Sequence, residues 1–459
     1  MERTPFLDEN SSTPLYVQLY EYFKNEIENQ RIPMNSKLPS IRQLALHLKI
    51  SRNTVETAYQ QLHAEGYVES KPKSGLIVVE IEDVFISTTT KKEQISPVLP
   101  QKEQTYIDFQ YGEIDASKFP IKEWKKCLVN VTNYSYGDKQ GHIGLREEIA
   151  TYLFQSRGVE CQAEDILLCA GTQASILLLT QLLHLFNQKV AFENPGYDGA
   201  RLVFQRQQCE MIPISIEDDG VNIHEVEKSG AKALYLTPSH QFPLGMVLSI
   251  TKRKKLLQWA EKENSYLIED DYDSEFRYLG QPIPSLKSLD FQERVIYLGT
   301  FSKAFLPATR VSYIVLPKTI MQKYKNEFHF LNQSVSPIIQ EALYQFMKKG
   351  EFAKHIRRMR KCYQMKHKVL LNSLNHHFGH QINIIGQKAG LHLLVQLHGQ
   401  AAEELIFKAE SVGVKVYPTN TFWLNPMIDD GMTIMLGYGG LSEYEIELGV
   451  QKLKFAWLG

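Results

Sequence analysis

Cysteine is scarce in this sequence and follows no recognisable pattern. The 459 residues include five cysteines, and no two of them form a Cys-x-x-Cys pair. This usage suits a reducing compartment and argues against a structural zinc site. Apolar runs are also short, because the most apolar helical one, residues 176–186, is interrupted by Gln181 and His184 and cannot span a bilayer. The first ten residues lack the apolar core of a signal peptide, so we expect a cytoplasmic protein.

Neither sign of charge is in excess. Lysine and arginine number 51, against 52 for aspartate and glutamate. A surface that binds nucleic acid must therefore be local rather than a property of the whole chain. The chain has room for about three domains of roughly 150 residues. Its hydrophobic content of 43% is ordinary for a globular protein.

The first eighty residues predict three short helices followed by a hairpin. Apolar residues recur at helical spacing in three stretches, each of which begins at a helix-starting residue: 14–29, 40–48 and 51–65. Pro14 stands at the first helical position, and Ser40 and Ser51 cap the second and third helices. Two short strands, 67–70 and 76–79, then flank a basic turn. This order predicts a winged helix-turn-helix.

The N-terminal end of the third helix is the predicted DNA-reading surface, because this end enters the major groove in a winged helix-turn-helix. It carries Arg52, Asn53 and Thr54, of which the first two can make bidentate contacts with base edges. The other residues predicted to contact DNA lie at helix starts or in the hairpin: Ser40, Arg42, Ser51, Lys71, Lys73, Ser74 and Gly75. From spacing alone, the alternative is a three-helix interaction domain with a solvated polar face.

Several short motifs in this region resemble the signature of GntR-type bacterial transcription regulators. They follow one another at the intervals typical of that family: LPSIRQLA at 38–45, SRNTV at 51–55, AY at 58–59, EGY at 65–67 and SG at 74–75. The resemblance covers residues 14–82. It implies a DNA-binding domain that binds double-stranded operator DNA as a dimer.

Residues 83–105 separate this domain from the rest of the chain. They show no sustained apolar period, and we interpret them as a linker whose ends, in a flexible coil, would lie roughly 25 Å apart. An ordered loop along the surface is the alternative. Over 106–459, short apolar strands alternate with helices, which predicts an α/β domain with a mostly parallel sheet. The pattern changes near residue 351, and we expect a smaller α+β subdomain over 351–459.

Small and polar residues follow several of the predicted strands, where ligands of such sheets collect. Tyr197 follows one strand and offers a ring for stacking. Asp270 and Tyr272 follow another, with a carboxylate for a pyridine nitrogen and a hydroxyl for a ring oxygen. Three residues stand between a strand and a helix, where backbone N–H groups favour a phosphate: Gly171, Thr172 and Gln173.

A lysine occupies a similar position after the predicted strand 295–298. Lys303 follows the hydroxyls of Thr300 and Ser302, and Arg310 precedes the next strand. An amine beside hydroxyls and a guanidinium suits a cofactor that carries an aldehyde and a phosphate. Each of these features has a plain alternative, such as a solvated loop, a simple turn or an ordinary helix start. Together they supply the contacts that one cofactor, pyridoxal 5'-phosphate, requires.

The region 106–459 resembles the fold-type I aminotransferases. The motifs that carry the resemblance are GHIGLR at 141–146, GTQ at 171–173, NPGY at 194–197, and the pairs described above at 270 and 272 and at 302 and 303 with Arg310. The resemblance implies that Lys303 forms an imine with pyridoxal phosphate, that Asp270 pairs with the pyridinium nitrogen and that Tyr272 bonds to the ring oxygen. It also implies that Tyr197 lies near the ring. The phosphate would be held by Thr172, Ser302 and Arg310.

The fusion of the two parts resembles the MocR/GabR-type subfamily of GntR regulators, as do the segments 237–245 and 390–392. Two residues depart from the aminotransferase pattern. Phe242 stands where those enzymes carry an asparagine that contacts the ring oxygen, and Met435 where they carry an arginine for the substrate carboxylate. An amino-acid carboxylate would then need another group, such as Arg201, or the effector is not a typical amino acid. Arg201 is equally suited to a structural ion pair.

These features predict a transcription regulator that senses a small amine or amino acid by imine exchange at Lys303, without net turnover. The family resemblance further implies a homodimer. Two alternatives stay open. One is an active aminotransferase with an accessory DNA-binding module, and the other is a regulator whose signal is the vitamer itself.

Overall fold

The computed structural model describes residues 5, 7–8, 11–72, 75–80, 106–132, 134–278, 283–425 and 431–459. The chain divides into two compact units, Met1–Gln101 and Lys102–Gly459. The predicted linker, 83–105, lies outside the described residues. None of the described helices combines the length and the apolar character that a membrane crossing requires.

The first unit consists of three helices and an antiparallel hairpin. Its elements are α1 (Leu15–Glu28), α2 (Ile41–Leu48), α3 (Arg52–Ala64), β1 (Val68–Lys71) and β2 (Gly75–Val78). Ser40 and Ser51 each accept a hydrogen bond from a backbone N–H three residues later, so both predicted caps are present. The first helix begins at Leu15 rather than at Pro14, because Pro14 is extended with a ψ of 143°.

One face of each helix forms the core of this unit. Leu19 and Phe23 of α1 lie in one buried cluster with Val55, Tyr59 and Leu62 of α3. The rings of Phe23 and Tyr59 meet edge to face with centroids 5.5 Å apart. Because the buried residues of α3 recur at helical spacing, its opposite face is left to solvent.

The second unit contains a large sheet, a smaller sheet and the helices that pack on them. Its helices are α4 (Ile121–Val129), α5 (Ile143–Arg157), α6 (Thr172–Leu182), α7 (Asp198–Arg206), α8 (Ile223–Lys228), α9 (Ile250–Lys262), α10 (Phe301–Ala304), α11 (Lys318–Glu327), α12 (Pro337–Lys348), α13 (Glu351–Phe378), α14 (Ala402–Ser411) and α15 (Glu443–Leu458). Its strands are β3 (Ile107–Asp108), β4 (Ile166–Cys169), β5 (Lys189–Asn194), β6 (Glu210–Glu217), β7 (Gly220–Val221), β8 (Ala233–Leu236), β9 (Tyr266–Asp271), β10 (Val295–Thr300), β11 (Ser312–Val315), β12 (Ile382–Ile385), β13 (His392–Leu397), β14 (Val414–Lys415), β15 (Tyr417–Pro418) and β16 (Thr433–Gly437).

The large sheet has eight strands in the order β4-β11-β10-β9-β8-β5-β6-β7. The five strands from β10 to β6 pair in parallel, so the predicted mostly parallel sheet is confirmed. β11 runs antiparallel between β10 and β4. Residues 301–311 are too few for the crossover that a parallel return would need. β4, β8 and β11 are buried along their whole length, as expected where helices cover both faces.

The smaller sheet is antiparallel, with the order β12-β13-β16-β15, and β3 pairs with β14 beside it. Helix α13 connects the two sheets. It has 28 residues, which corresponds to about 42 Å. Phe352 and Ile356 near its start pack on the core of the large sheet, whereas Leu370 and Leu374 pack in the core of the small one.

Candidate DNA-binding surface and cofactor site

The start of α3 presents the side chains predicted to read DNA. Arg52 and Asn53 are exposed there, opposite the buried face of the helix. Ser51 accepts a hydrogen bond from the Thr54 N–H at 3.1 Å, and its hydroxyl lies 2.8 Å from that of Thr54. The Thr54 hydroxyl therefore takes part in the helix cap. Arg52 and Asn53 are the long polar side chains that this turn offers to a base.

The predicted phosphate contacts lie at the start of α2 and in the hairpin. Ser40 caps α2 and Arg42 is exposed on it. Lys71 is exposed at the end of β1 and forms an ion pair with Glu69 at 2.8 Å. This pair is solvent-exposed and therefore easily exchanged for a phosphate contact. Lys73 and Ser74 lie outside the described residues.

Lys37, which was not predicted to belong to the DNA-binding surface, lies against the hairpin. Gly75 opens β2 with a φ of 90°, and the Cε atom of Lys37 lies 3.3 Å from the position that a β-carbon would take there. Lys37 forms an isolated bridge with Ile77 of β2. Because Lys37 precedes the family motif and reaches the hairpin only through tertiary pairing, no local pattern indicates it.

A cavity of about 210 Å³ lies at the carboxyl ends of β4, β5, β9 and β10. Its lining residues are Tyr111, Thr172, Gln173, Tyr197, Thr237, Phe242, Asp270, Tyr272, Thr300, Ser302, Lys303, Pro307 and Arg310. The carboxyl ends of these strands share one edge of the sheet, so residues distant in sequence meet there. Every residue that the sequence predicts to bind the cofactor lines this cavity except Gly171, which lies beside it.

The end of the cavity next to α6 suits an anion. Gly171 caps α6 with a φ of 92°, and a side chain at this position would collide with the Arg310 guanidinium. Thr172 begins the helix, whose first N–H groups have no partner within it. The Thr300 hydroxyl accepts a hydrogen bond from the Ser302 N–H and donates one to the Ser302 hydroxyl, both at 3.1 Å. Hydroxyls, a guanidinium and a helix start together fit a phosphate.

Asp270 lies near the end of β9 with only one of its carboxylate oxygens paired. The Tyr235 hydroxyl donates to Oδ2, whereas Oδ1 is buried and has no hydrogen-bond partner in the described part of the chain. Burial raises the pKa of Asp270 to about 7. A protonated ring nitrogen next to Oδ1 would supply the missing partner and favour the charged carboxylate.

Lys303 extends from α10 to the loop that follows β3. Its amine donates to the Gly112 carbonyl at 3.0 Å and lies 4.6 Å from the centre of the Tyr111 ring. Burial lowers the pKa of Lys303 to about 8, against the opposing effect of the Asp273 and Glu113 carboxylates. A larger fraction of this amine is therefore neutral near neutral pH than of an exposed lysine, and the neutral form is the nucleophile.

Tyr272 contacts a buried histidine–aspartate pair. The His240 Nδ1 atom lies 2.9 Å from Asp273 Oδ2 and 3.0 Å from the Tyr272 hydroxyl oxygen. If Nδ1 carries the proton, it donates to both the Asp273 carboxylate and the Tyr272 hydroxyl oxygen. The Tyr272 hydroxyl then keeps its own proton, which it can donate to a group in the cavity. Neither His240 nor Asp273 was among the residues predicted to bind the cofactor. The sequence pattern that could have indicated them is the one that indicated the predicted residues, because each is a polar residue shortly after a strand of the large sheet.

Four lining residues were not predicted to bind the cofactor: Tyr111, Thr237, Phe242 and Pro307. Thr237 is buried, and its hydroxyl donates to the buried Glu193 carboxylate at 2.6 Å. Tyr111 comes from the loop after β3, at the start of the second unit. Only the tertiary fold brings this loop to the carboxyl edge of the large sheet.

The two residues that depart from the aminotransferase pattern lie in one apolar cluster. Phe242 lines the cavity, and Met435 of β16 is buried in the same cluster. Arg201 of α7 does not line the cavity, and its Nη2 donates to the Thr421 carbonyl at 2.7 Å. The structural partner of Arg201 is thus a backbone carbonyl, and no ion pair of this residue is seen in the described residues.

Comparison with protein-family models matches both units. Residues 105–427 match the family of class I and II aminotransferases, and residues 15–78 match the gntR family of bacterial regulatory proteins.

Curated relatives share both parts in one chain. The HTH-type transcriptional regulator YhdI of Bacillus subtilis is 44% identical, over 100% of this chain and 98% of its own length. The probable rhizopine catabolism regulatory protein MocR of Rhizobium meliloti is 32% identical, over 98% and 95%. The pyridoxine biosynthesis transcriptional regulator PdxR of Corynebacterium glutamicum is 28% identical, over 95% and 94%.

Solved structures match the second unit. A kynurenine aminotransferase of Pyrococcus horikoshii superposes with a TM-score of 0.69 at 25% identity and covers 77% of this chain and 90% of its own. This match supports the fold of the second unit. The curated relatives show that such a unit and a DNA-binding domain occur together in one chain. The chain therefore belongs to the MocR-type HTH transcription regulators, in which a gntR-family DNA-binding domain is joined to a class I and II aminotransferase domain.

Proposed function

We propose that the second unit binds pyridoxal phosphate and that the protein regulates transcription in response to a small primary amine or amino acid. The arrangement of one cavity carries the proposal. It combines an anion-binding end, a buried carboxylate oxygen without a partner and a lysine amine of lowered pKa. Each feature alone is common, but a phosphorylated pyridine aldehyde uses all three.

The lining residues divide by the part of the cofactor that they would hold. Asp270 would pair with the ring nitrogen, Tyr272 would bond to the ring oxygen and Tyr197 would lie against the ring. The phosphate would be bound by the helix start and the residues around it: Gly171, Thr172, Gln173, Thr300, Ser302 and Arg310.

When bound, pyridoxal phosphate supplies an aldehyde that forms an imine with an amine. Lys303 would provide that amine in the resting state, and an effector amine would displace it. The displaced side chain needs a hydrogen-bond partner, and the Gly112 carbonyl offers one at 3.0 Å from Nζ. The effector can shift the regulator between two states only through its different affinities for them.

The first unit would carry this response to DNA. Arg52 and Asn53 would contact base edges in the major groove. The surrounding residues would contact phosphates: Ser40, Arg42, Ser51, Thr54, Lys71, Lys73, Ser74 and Gly75. We place this unit in a homodimer, because an operator with two half-sites requires two copies of α3.

A second candidate takes the vitamer itself as the signal. It is favoured by the relative named as a regulator of pyridoxine biosynthesis, which aligns with 95% of this chain. In that case the cofactor alone, without any amine, would change operator affinity. Titrating apoprotein with pyridoxal phosphate in a DNA-binding assay separates this candidate from an amine sensor.

The test of the main proposal is spectroscopic. Purified protein with pyridoxal phosphate should show an imine absorption band, and borohydride reduction should attach the cofactor to the peptide that contains Lys303. Lys303→Ala should abolish both signals, whereas Lys126→Ala, at an exposed lysine of α4, should leave them unchanged. A colourless protein that cannot be reconstituted would refute the cofactor claim. Multiple turnover of an amino acid with a keto acid would identify an aminotransferase instead of a sensor.

A further inference from the structure

The amine of Lys303 points toward an apolar wall rather than toward the anion-binding end. Nζ donates to the carbonyl of Gly112 and lies over the ring of Tyr111. The Tyr111 ring belongs to a cluster whose buried members are Phe242, Leu394 and Met435. An amine that displaces Lys303 would therefore enter beside this cluster, which we call the aromatic wall.

The aromatic wall is densely packed around Phe242. Its ring centroid lies 5.1 Å from that of Tyr111 and 4.8 Å from that of Phe422. Tyr197 and Tyr272 stand edge to face with it at 5.9 and 6.0 Å. The ring faces of this surface gain free energy from contact with an apolar or aromatic group, and its polar groups are tyrosine hydroxyls rather than cations.

The acidic groups near Lys303 include Asp273, whose Oδ2 lies 2.9 Å from His240 Nδ1. Asp273 and Glu113 both act on the Lys303 amine, and Asp270 lines the same cavity. Among the described lining residues the cations are Lys303 and Arg310, and Arg310 lies over Gly171 at the anion-binding end.

His392 does not replace the missing cation. It stands in the aromatic wall, with its ring centroid 4.9 Å from that of Tyr111 and 5.5 Å from that of Phe242. Its Nε2 atom bonds to the Pro243 carbonyl at 2.9 Å. Burial lowers the pKa of His392 to about 3, so the ring is neutral near pH 7.

We propose, on the basis of the function proposed above, that the amine admitted at Lys303 carries an apolar or aromatic group and no carboxylate. A carboxylate beside the amine would be buried against the aromatic wall, where the displaced Lys303 is the one cation among the described lining residues outside the anion-binding end and is already influenced by the Asp273 and Glu113 carboxylates, which is unfavourable. In the exchange, the incoming nitrogen replaces the Lys303 nitrogen on the aldehyde carbon and Lys303 leaves as a free amine. No oxidant or reductant is consumed.

The experiment compares two ligands that differ by the carboxylate alone. Reconstituted protein is titrated with phenethylamine and with L-phenylalanine, followed by the imine absorption band and by mass spectrometry of the released cofactor adduct. Each equilibrium constant is divided by that of the same ligand with free pyridoxal phosphate, which removes the intrinsic difference in imine stability. We expect phenethylamine to be favoured by at least about 100-fold, since an unpaired buried charge is discriminated strongly.

Two further comparisons test the aromatic wall. Ethylamine should bind at least about tenfold more weakly than phenethylamine, because it leaves the wall uncovered. Phe242→Leu should reduce this difference, whereas Phe378→Leu, a buried phenylalanine in the core of the small sheet, should preserve it. An unchanged preference in Phe242→Leu would show that the wall does not select the ligand.

Equal or tighter binding of L-phenylalanine would overturn the inference. If Arg201→Gln then removed that binding, the carboxylate site would be Arg201, whose buried Nε has no partner in the described residues. Failure of the proposed function is distinct, since protein without an imine band or a Lys303 adduct could not be titrated with any amine.

Discussion

At the scale of single residues, Asp270 shows how burial prepares a group for a ligand. Its Oδ2 accepts from Tyr235, while Oδ1 is left without a partner in the described residues. A buried carboxylate in this state resists ionisation, and burial accordingly raises the pKa to about 7. A cation placed against Oδ1 would reverse that effect, so cofactor binding and ionisation of Asp270 are expected to be coupled.

Asp270→Asn should stabilise the apoprotein in a pH-dependent way. The folded pKa lies above the ordinary 3.8, so ionisation of Asp270 costs stability as pH rises from about 4 to about 7, and the full cost remains above 7. The free energy of unfolding of the variant should therefore exceed that of the parent by about 2–4 kcal/mol at pH 8 and by much less at pH 4.

Urea unfolding of apoprotein at several pH values measures this difference. Asp218→Asn, at an exposed position, should show no such trend. If the difference in the free energy of unfolding between Asp270→Asn and the parent stayed constant from pH 4 to pH 8, burial would not raise the pKa of Asp270 as described. The same variant should bind pyridoxal phosphate more weakly, because the neutral amide cannot pair with a charged ring nitrogen.

At the scale of elements, α3 separates stability from recognition. The residues of one face, Val55, Tyr59 and Leu62 among them, fill the core, and Ser51 fixes the start of the helix. Arg52 and Asn53 take no part in that core and are exposed. Changing them should therefore alter DNA binding while the fold is retained.

Arg52→Ala combined with Asn53→Ala should strongly weaken specific operator binding. Each lost bidentate base contact costs about 1–3 kcal/mol, so the pair should lower operator affinity by at least about 30-fold and leave non-specific binding nearly intact. Footprinting and a salt-dependent binding assay measure the two components. Glu56→Ala, an exposed residue of the same helix, is the matched control. An unchanged footprint would reject α3 as the recognition helix.

In the second unit, the connection from β10 to β11 positions residues of the cofactor site. Residues 301–311 hold α10 and a short 3-10 turn that ends at Arg310, which has a φ of 50°. The chain then returns antiparallel beside β4, and the Ser312 hydroxyl donates to the Cys169 carbonyl at 3.1 Å. This return sets Arg310 next to Gly171, so one short segment supplies both Lys303 and part of the anion-binding end.

At the scale of the whole molecule, the two units have separate hydrophobic cores. Cofactor binding stabilises only the state that binds it, by about 2.7 kcal/mol at a free concentration of 100 times Kd. Calorimetry should therefore resolve two unfolding transitions. Pyridoxal phosphate should raise the midpoint temperature of the transition that belongs to the second unit.

Leu62→Ala provides the assignment of the transitions. This residue is fully buried in the first unit, and its truncation should cost about 2–5 kcal/mol. It should lower the midpoint temperature of the transition that belongs to the first unit and leave that of the cofactor-dependent transition unchanged. A single transition that responded to both changes would show that the two units unfold as one.

The local elements of this protein follow from its sequence, because their signals are local as well. Serine caps, helical spacing and the small or polar residues after apolar strands predicted the winged helix-turn-helix, the mostly parallel sheet and nine of the residues that line the cavity. The identity of Lys303, Asp270 and Arg310 as cavity residues needed no knowledge of strand order, since each lies at the end of a strand of one sheet or in the connection between two of its strands.

Tertiary structure decided what those residues touch. The sequence does not reveal that β11 inserts between β10 and β4, that the Tyr235 hydroxyl donates to Asp270, or that the Tyr111 ring contacts the Lys303 amine. These contacts join segments tens to hundreds of residues apart. They depend on how two sheets and a helix of 28 residues pack together, and no local pattern of side chains encodes that packing.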